Sequence, residues 1–283
     1  MSQPIEKKGI RIDPSDAAKI YLLPNLFTSG NLFFGFLAII RCIQAKYVAI
    51  DEVLSKEYYT HAVWFIILAS VCDVLDGRVA RLGGKESLFG KEFDSLADLV
   101  SFGVAPALMV FFLILSPTDG CPFFRQLGWL IGFFYLLCGA VRLARYNVIT
   151  HPLLPVVKEK TPGRDFVGLP ITAAAGTIAS LVLVLTNLDL RGWTILLPPL
   201  MLLIAWLMVS TVPYPSFRNI VDWNTDAPSR TFVSVVALVA VGVLFKEYSF
   251  AVIFLTYLFY GFLSYQRRKF REKRTNGEIK GQK

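Results

Sequence analysis

The chain has 283 residues, of which 54% are hydrophobic and only 18% are charged. A soluble domain typically has about 25% charged residues, so this composition excludes that class, and it also excludes disordered chains and coiled coils. The net charge of +8 does not indicate a nucleic-acid partner, because much of the excess lies in residues 267–274, where a basic flank would meet anionic lipid headgroups.

Long apolar segments predict about eight transmembrane helices, since a span needs about 20 mostly apolar residues. In chain order, the predicted spans are 25–45, 61–82, 94–115, 127–147, 168–187, 193–212, 230–246 and 249–266. The last two are short and nearly contiguous, which predicts a tight helical hairpin. Residues 13–21 predict an N-terminal interfacial amphipathic helix ahead of the first span. The expected fold is an all-α integral membrane protein.

These segments divide the chain into four parts. The parts are an arm with the interfacial helix (1–22), a six-span core (23–212), a loop with two further spans (213–266) and a basic tail (267–283). Lys and Arg are more frequent in cytoplasmic loops, and most of the 29 fall on one side if both termini are cytoplasmic. The basic residues left on the outer side are Lys46, Lys56, Arg125, Arg191 and Lys246.

Four aspartates lie at the inner ends of the second and third spans, in the segment DVLDGRVARLGGKESLFGKEFDSLAD. Asp73 and Asp76 are three residues apart, and Asp94 and Asp98 are four apart, so each pair shares a helical face. Buried carboxylates are rare in a membrane unless they are paired, hydrated or bound to a cation. Oxygen ligands without nearby His or Cys favour Mg²⁺, Mn²⁺ or Ca²⁺, and two ions would match four negative charges.

Small residues accompany these acids. Gly77 and Gly90 would let a ligand or a second backbone approach closely, and Ala80 lies one turn beyond Gly77. A small-residue surface beside a cation site suits a flat base or a diphosphate. Packing between helices is the alternative interpretation.

The segment resembles the motif D-x2-D-G-x2-A-R-x8-G-x3-D-x3-D of the CDP-alcohol phosphatidyltransferase family. All of its fixed positions are present, as Asp73, Asp76, Gly77, Ala80, Arg81, Gly90, Asp94 and Asp98. The resemblance implies a membrane enzyme with a six-helix core, usually a homodimer, that releases CMP from a CDP-linked lipid while transferring the phosphatidyl group to an alcohol.

The resemblance also implies roles for the motif residues. The four aspartates would hold Mg²⁺ or Mn²⁺ at the cytoplasmic side, and Asp98 would be the general base. The implied contacts to the CDP-linked lipid come from Asp73, Gly77, Ala80, Arg81 and Gly90.

Further segments resemble the branch of this family that uses serine as the acceptor. They are LPNLFTSGNLFFGF from Leu23, CGAVRLARYNV from Cys138, FVGLP from Phe166 and VSTVPYPSF from Val209. This likeness implies CDP-diacylglycerol and serine as substrates, in the plasma membrane of a prokaryote. After FVGLP the sequence has Ile171-Thr172, where a second proline is expected nearby, and this departure bears on substrate preference.

Two further polar groups face the same membrane side. Arg142 and Arg145 share a face at the end of the fourth span and are predicted to hold a phosphate or the serine carboxylate, although they also fit the role of positive flanks. Asn25, Thr28 and Asn31 share a face of the first span. We predict that Asn25 and Thr28 contact the CDP-lipid and that Asn31 contacts phosphate or serine, with helix packing as the alternative.

Two other functions remain open at this point. The same chemistry on choline, glycerol 3-phosphate or an inositol phosphate is one. An ion-coupled transporter is the other, since acids within a membrane also mark ion pathways. The gathering of all four aspartates at one face and the lack of an obvious internal repeat argue against a transporter.

Overall fold

The computed structural model describes residues 22–82, 88–115, 127–149, 166–188, 190–214 and 248–261. These ranges are mostly helical. The helices are α1 (Leu22–Tyr47), α2 (Glu52–Leu82), α3 (Leu88–Leu115), α4 (Gly128–Ile149), α5 (Ile171–Asn187), α6 (Leu197–Val209) and α7 (Tyr248–Gly261). A 3₁₀ turn, Arg191–Leu196, leads into α6.

Four helices in the described part of the chain are long and apolar enough to cross a membrane. They are Asn25–Tyr47, Leu88–Leu115, Gly128–Ile149 and Gly192–Val209. Large apolar side chains such as Phe33, Trp129 and Trp206 are more than half exposed on them, as expected for surfaces covered by lipid. The protein is therefore a multi-pass helical membrane protein.

The predicted spans 25–45, 127–147 and 193–212 match three of these helices to within about three residues, and span 94–115 matches α3, which begins earlier, at Leu88. The predicted span 61–82 is part of α2, which begins earlier, at Glu52, because its first turns are helical but polar. Span 168–187 corresponds to the shorter helix α5, and α7 covers most of 249–266. Span 230–246 and the interfacial helix at 13–21 lie outside the described residues.

Helix α5 lies at the centre of the bundle. Its sequence, ITAAAGTIASLVLVLTN, begins with small residues, and residues 173–180 are all buried. A helix that is apolar on every side is buried on every side. It packs against α2 and α6, while Gly176 receives the ring of Phe254 from α7.

A short antiparallel ladder is the one exception to the all-α expectation in the described ranges. Strand β1 (Phe166–Val167) pairs with β2 (Pro213–Tyr214). Gly168 follows with φ +84°, which glycine adopts readily, and its N–H donates to the Val212 carbonyl at 2.9 Å. The ladder fastens the segment ahead of α5 to the end of α6.

Helix α3 changes its winding along its length. The α-helical turns of Leu88–Asp98 pass into π-helical turns at Leu99–Val104. Pro106 has no N–H to offer the Phe102 carbonyl one turn earlier, and the buried Tyr135 hydroxyl of α4 donates to that carbonyl at 3.0 Å. The π-helical turns begin directly after Asp98.

Helices α1 and α3 touch at Gly35 and Ser101. A Cβ at Gly35 would lie 2.7 Å from the Ser101 Cα and closer still to its hydroxyl oxygen, so only glycine fits. The Ser101 Oγ donates to the Asn31 carbonyl at 2.9 Å. This contact, which we call the glycine crossing, fixes the register between the two helices.

We expect Gly35→Ala to destabilise the protein, because the added methyl group must push α1 and α3 apart. Overpacking of this kind costs about 1–3 kcal/mol, and each kcal/mol lowers the melting temperature by about 2–4 °C in a chain of this size. The matched control is Gly192→Ala, since nothing lies within 4 Å of a Cβ at that position. Equal melting temperatures for both variants in detergent would contradict the prediction.

Candidate active site

Three of the four aspartates converge where α2 ends and α3 begins. Carboxylate oxygens of Asp73, Asp94 and Asp98 all lie within 4.8 Å of one another. Asp76 lies on the same face of α2 as Asp73 and is close enough to interact electrostatically with Asp94. The expected meeting of the two acid pairs is therefore present in the structure.

Helix α1 binds one carboxylate from each pair. The Thr28 hydroxyl donates to Oδ2 of Asp76, and Nδ2 of Asn31 donates to Oδ1 of Asp98 at 2.9 Å. All four side chains are buried. Sequence reasoning assigned Thr28 and Asn31 to substrate contacts and missed these bonds. The available signal was the three-residue spacing of Thr28 and Asn31. It places both side chains on one face of α1, as the same spacing does for Asp73 and Asp76 on α2.

The acid cluster has an excess of negative charge, because the described residues around it supply fewer positive charges than the cluster has carboxylates. Two carboxylates about 5 Å apart repel by about 3 kcal/mol at an effective dielectric constant of about 20. Oδ1 of Asp94 is buried and has no hydrogen-bond partner within the described ranges. Converging carboxylate oxygens with an unused acceptor suit a hard divalent cation, so Asp73, Asp94 and Asp98 can hold one.

The two arginines of α4 take different directions. Arg142 is buried and close enough to Asp98 for their charges to interact, and its Nε has no hydrogen-bond partner among the residues described. Arg145 donates from Nη1 to the Val209 carbonyl at 3.1 Å, at the end of α6, where helix carbonyls lack partners of their own. The charge of Arg142 therefore acts on Asp98 of the acid cluster.

A polar clamp joins the start of α3 to the end of α4. Nδ2 of Asn147 donates to Oγ of Ser95 at 2.9 Å and to Oε2 of Glu92 at 3.3 Å. The Lys91 ammonium group donates to the Asn147 carbonyl at 3.4 Å and lies 5.8 Å from the centre of the Tyr146 ring. The clamp lies beside Asp94 and positions that end of α3. Sequence reasoning missed it, because its contacts span more than 50 residues.

The remaining predicted site residues either lie near the acid cluster or have side chains outside the described residues. Gly77 is half-buried in α2, next to Asp76, and Gly90 is half-buried in the first turn of α3. The side chains of Ala80 and Arg81 are outside the described set. Nδ2 of Asn25 is buried and has no hydrogen-bond partner within the described ranges.

Comparison with known proteins defines the class. The family model described as CDP-alcohol phosphatidyltransferase matches residues 21–262, and the chain belongs to this family. It is 34% identical over 246 residues to the CDP-diacylglycerol–serine O-phosphatidyltransferase of Helicobacter pylori, covering 86% of this chain and 91% of that protein.

Two further relatives carry related names. The archaetidylserine synthase of Methanothermobacter thermautotrophicus is 34% identical over 195 residues, which cover 68% of this chain and 69% of the relative. The CDP-diacylglycerol–serine O-phosphatidyltransferase of Saccharomyces cerevisiae is 40% identical over 150 residues, 53% of this chain and 49% of that protein. The protein is thus an enzyme of phospholipid biosynthesis.

We expect Asn31→Leu to reduce turnover of a CDP-linked lipid, because the isosteric side chain no longer donates to Asp98. A hydrogen bond to a charged group contributes about 1.5–3 kcal/mol, which corresponds to about a 10- to 100-fold slower release of CMP. Ser29→Ala is the control on the same helix, since its hydroxyl only donates to the Asn25 carbonyl. If both variants melt and turn over like the native enzyme, Asn31 does not position Asp98.

Proposed function

We propose that the protein transfers the phosphatidyl group of CDP-diacylglycerol to the hydroxyl of L-serine, giving phosphatidylserine and CMP. The convergence of Asp73, Asp94 and Asp98 beside Arg142, in a chain of this family, is the observation that carries the proposal. The names of the relatives support the acceptor. Two are named for CDP-diacylglycerol and serine, and the archaeal one is named for a different lipid with serine.

The proposed cofactor is Mg²⁺ or Mn²⁺, with two ions held by Asp73, Asp76, Asp94 and Asp98. When bound, the ions would supply positive charge against the diphosphate and the leaving CMP. The chain's own contribution is to hold the acids in place, through Thr28 on Asp76 and Asn31 on Asp98. The proposed contacts to the CDP-lipid come from Asp73, Gly77, Ala80, Arg81, Gly90, Asn25 and Thr28.

Asp98 is the proposed general base. Asn31 donates to its Oδ1, so Oδ2 is the oxygen proposed to accept the proton of the serine hydroxyl. The serine oxygen then attacks the phosphorus that bears the diacylglycerol, and the bond from that phosphorus to the CMP oxygen breaks. The products are phosphatidylserine and CMP, with the proton left on Asp98.

Arg142 is the proposed partner of the serine carboxylate or of a phosphate. Its guanidinium group is planar and offers two parallel N–H donors to such an anion. Burial beside Asp98 would bring the anion to the base, and the Nε without a described partner supports this role. Arg145 and Asn31 complete the proposed set for phosphate or serine.

The proposed membrane arrangement has eight spans, with the six-span core at 23–212, two further spans within 213–266 and the interfacial helix in the arm 1–22. The active site and both termini, including the tail 267–283, face the cytoplasm of a prokaryote. The positive charges of the inner loops support this orientation. A homodimer is part of the proposal, by analogy with the family.

Acceptor choice is tested by measuring CMP release from CDP-diacylglycerol by the purified enzyme in detergent with Mg²⁺ or Mn²⁺. We expect release with serine and none above background with choline, glycerol 3-phosphate or an inositol phosphate. Release with one of these instead would keep the site and change the acceptor. No release with any of the four would contradict the proposed activity, and an ion-flux assay in liposomes would then test the transporter alternative.

We expect Asp98→Asn to lower turnover by about 10²- to 10⁴-fold at saturating Mg²⁺ or Mn²⁺, because the amide cannot accept the serine proton. Asp51→Asn is the matched control, because Asp51 lies at the other end of α2, where it accepts the N–H groups of Val53 and Leu54, and asparagine can also cap a helix. Chelation with EDTA should abolish native turnover, and added Mg²⁺ or Mn²⁺ should restore it. Near-normal turnover of the Asp98 variant would exclude the base.

A further inference from the structure

A cavity lies at the opposite end of the bundle from the acid cluster. It has a volume of about 300 Å³ and is formed by the end of α1, the start of α2 and the ends of α3 and α5. This volume is at the lower limit of typical small-molecule sites, roughly 300–1,000 Å³. Because these four elements meet there, a ligand in this outer-face cavity would contact most of the bundle at once.

The outer-face cavity is separate from the catalytic site. Helix α2 carries Lys56 at the cavity and Asp76 at the acid cluster. At ~1.5 Å per residue the two lie ~30 Å apart along the helix axis, about the thickness of a bilayer's hydrocarbon core. A lipid whose headgroup reacts at the aspartates therefore cannot reach the cavity from the same leaflet.

The turn beside the cavity lies at the membrane interface. Tyr47, Ile50 and Val53 surround the α1–α2 connection and are 85%, 100% and 78% exposed. Such side chains would be poorly placed in water, and an interfacial position buries them among headgroups. The cavity mouth is therefore at the level where the phosphates of the outer leaflet lie.

The lining of the cavity is amphipathic. Lys46, Lys56 and Glu52 line one part, and Phe112, Leu113 and Leu185 line another. These lysines are two of the basic residues that the charge distribution places on the outer side. Long lysine side chains at membrane ends reach lipid phosphates while their stems stay apolar. A free soluble anion would use only the cationic part, whereas a phospholipid would use both.

We propose that the outer-face cavity binds an anionic phospholipid, with its phosphodiester at Lys46 and Lys56 and its acyl chains along Phe112, Leu113 and Leu185. The hydroxyl of Ser55 donates to the Ala45 carbonyl at 3.1 Å, so the α1–α2 hairpin is already joined at this site. The bound lipid stabilises the outer ends of α1, α2, α3 and α5 as a unit. This site takes no part in the transfer reaction, and only its assignment to the outer leaflet rests on the proposed orientation.

The first test measures the melting temperature of delipidated enzyme in neutral detergent, without CDP-lipid. We expect phosphatidylglycerol to raise it by about 2–4 °C, and phosphatidylcholine or inorganic phosphate to leave it unchanged. The variant Lys46→Gln/Lys56→Gln should lose the shift, whereas Lys46→Arg/Lys56→Arg should keep it. An undiminished shift in the Gln variant would place the lipid elsewhere, for example on the basic tail. A full shift with phosphate alone would overturn the lipid as the ligand.

A second test uses the unaltered protein, in case the Gln variant does not fold. An amine-reactive reagent is added with phosphatidylglycerol or with phosphatidylcholine, and labelling of each lysine is followed by mass spectrometry. Phosphatidylglycerol should slow the labelling of Lys46 and Lys56 several-fold relative to phosphatidylcholine. Equal labelling of these two lysines in both lipids would contradict the proposal.

Discussion

The close approach of α1 and α3 at Gly35 is the constraint on which the site depends. Asn31 precedes Gly35 by one turn, and Asp98 precedes Ser101 by about one turn, so a contact at the crossing brings these two side chains together. Thr28 precedes Asn31 by about one turn of α1, and its hydroxyl donates a hydrogen bond to Asp76 of α2. Helix α1 contains no acidic residue, yet it sets the orientation of carboxylates on α2 and α3.

The acid cluster is held in place by the surrounding packing and does not stabilise itself. Its carboxylates repel one another, and the Arg142 charge offsets this repulsion at Asp98. Hydrogen bonds from α1, the Asn147 clamp from α4 and the buried helix α5 hold the helix ends against this repulsion. Any cation that binds the folded cluster more tightly than the unfolded chain also stabilises the fold. Binding of the proposed cation and folding in the membrane would therefore be linked.

Much of the arrangement was predictable, because it follows from short-range periodicity. The three- and four-residue spacings place Asp73 with Asp76 and Asp94 with Asp98, and the short connection between α2 and α3 brings the pairs to one side. Apolar length located the four membrane-spanning helices, although α3 begins at Leu88 and not at residue 94. The polar first turns of α2 were missed, because a helix can extend beyond the apolar layer that a hydropathy argument detects.

What escaped prediction depends on contacts between residues distant in sequence. The roles of Thr28 and Asn31 follow from how α1 lies against α2 and α3, and the Arg145 contact follows from where α6 ends.

The π-helical turns that follow Asp98 change the direction in which the two halves of α3 present their side chains. Each residue of an α-helix turns the chain by about 100°, and a π turn contains about one more residue than an α turn. The two halves of α3 therefore run out of phase. The face of the helix that carries Asp94 and Asp98 is rotated relative to the face on which the apolar residues beyond Val104 pack.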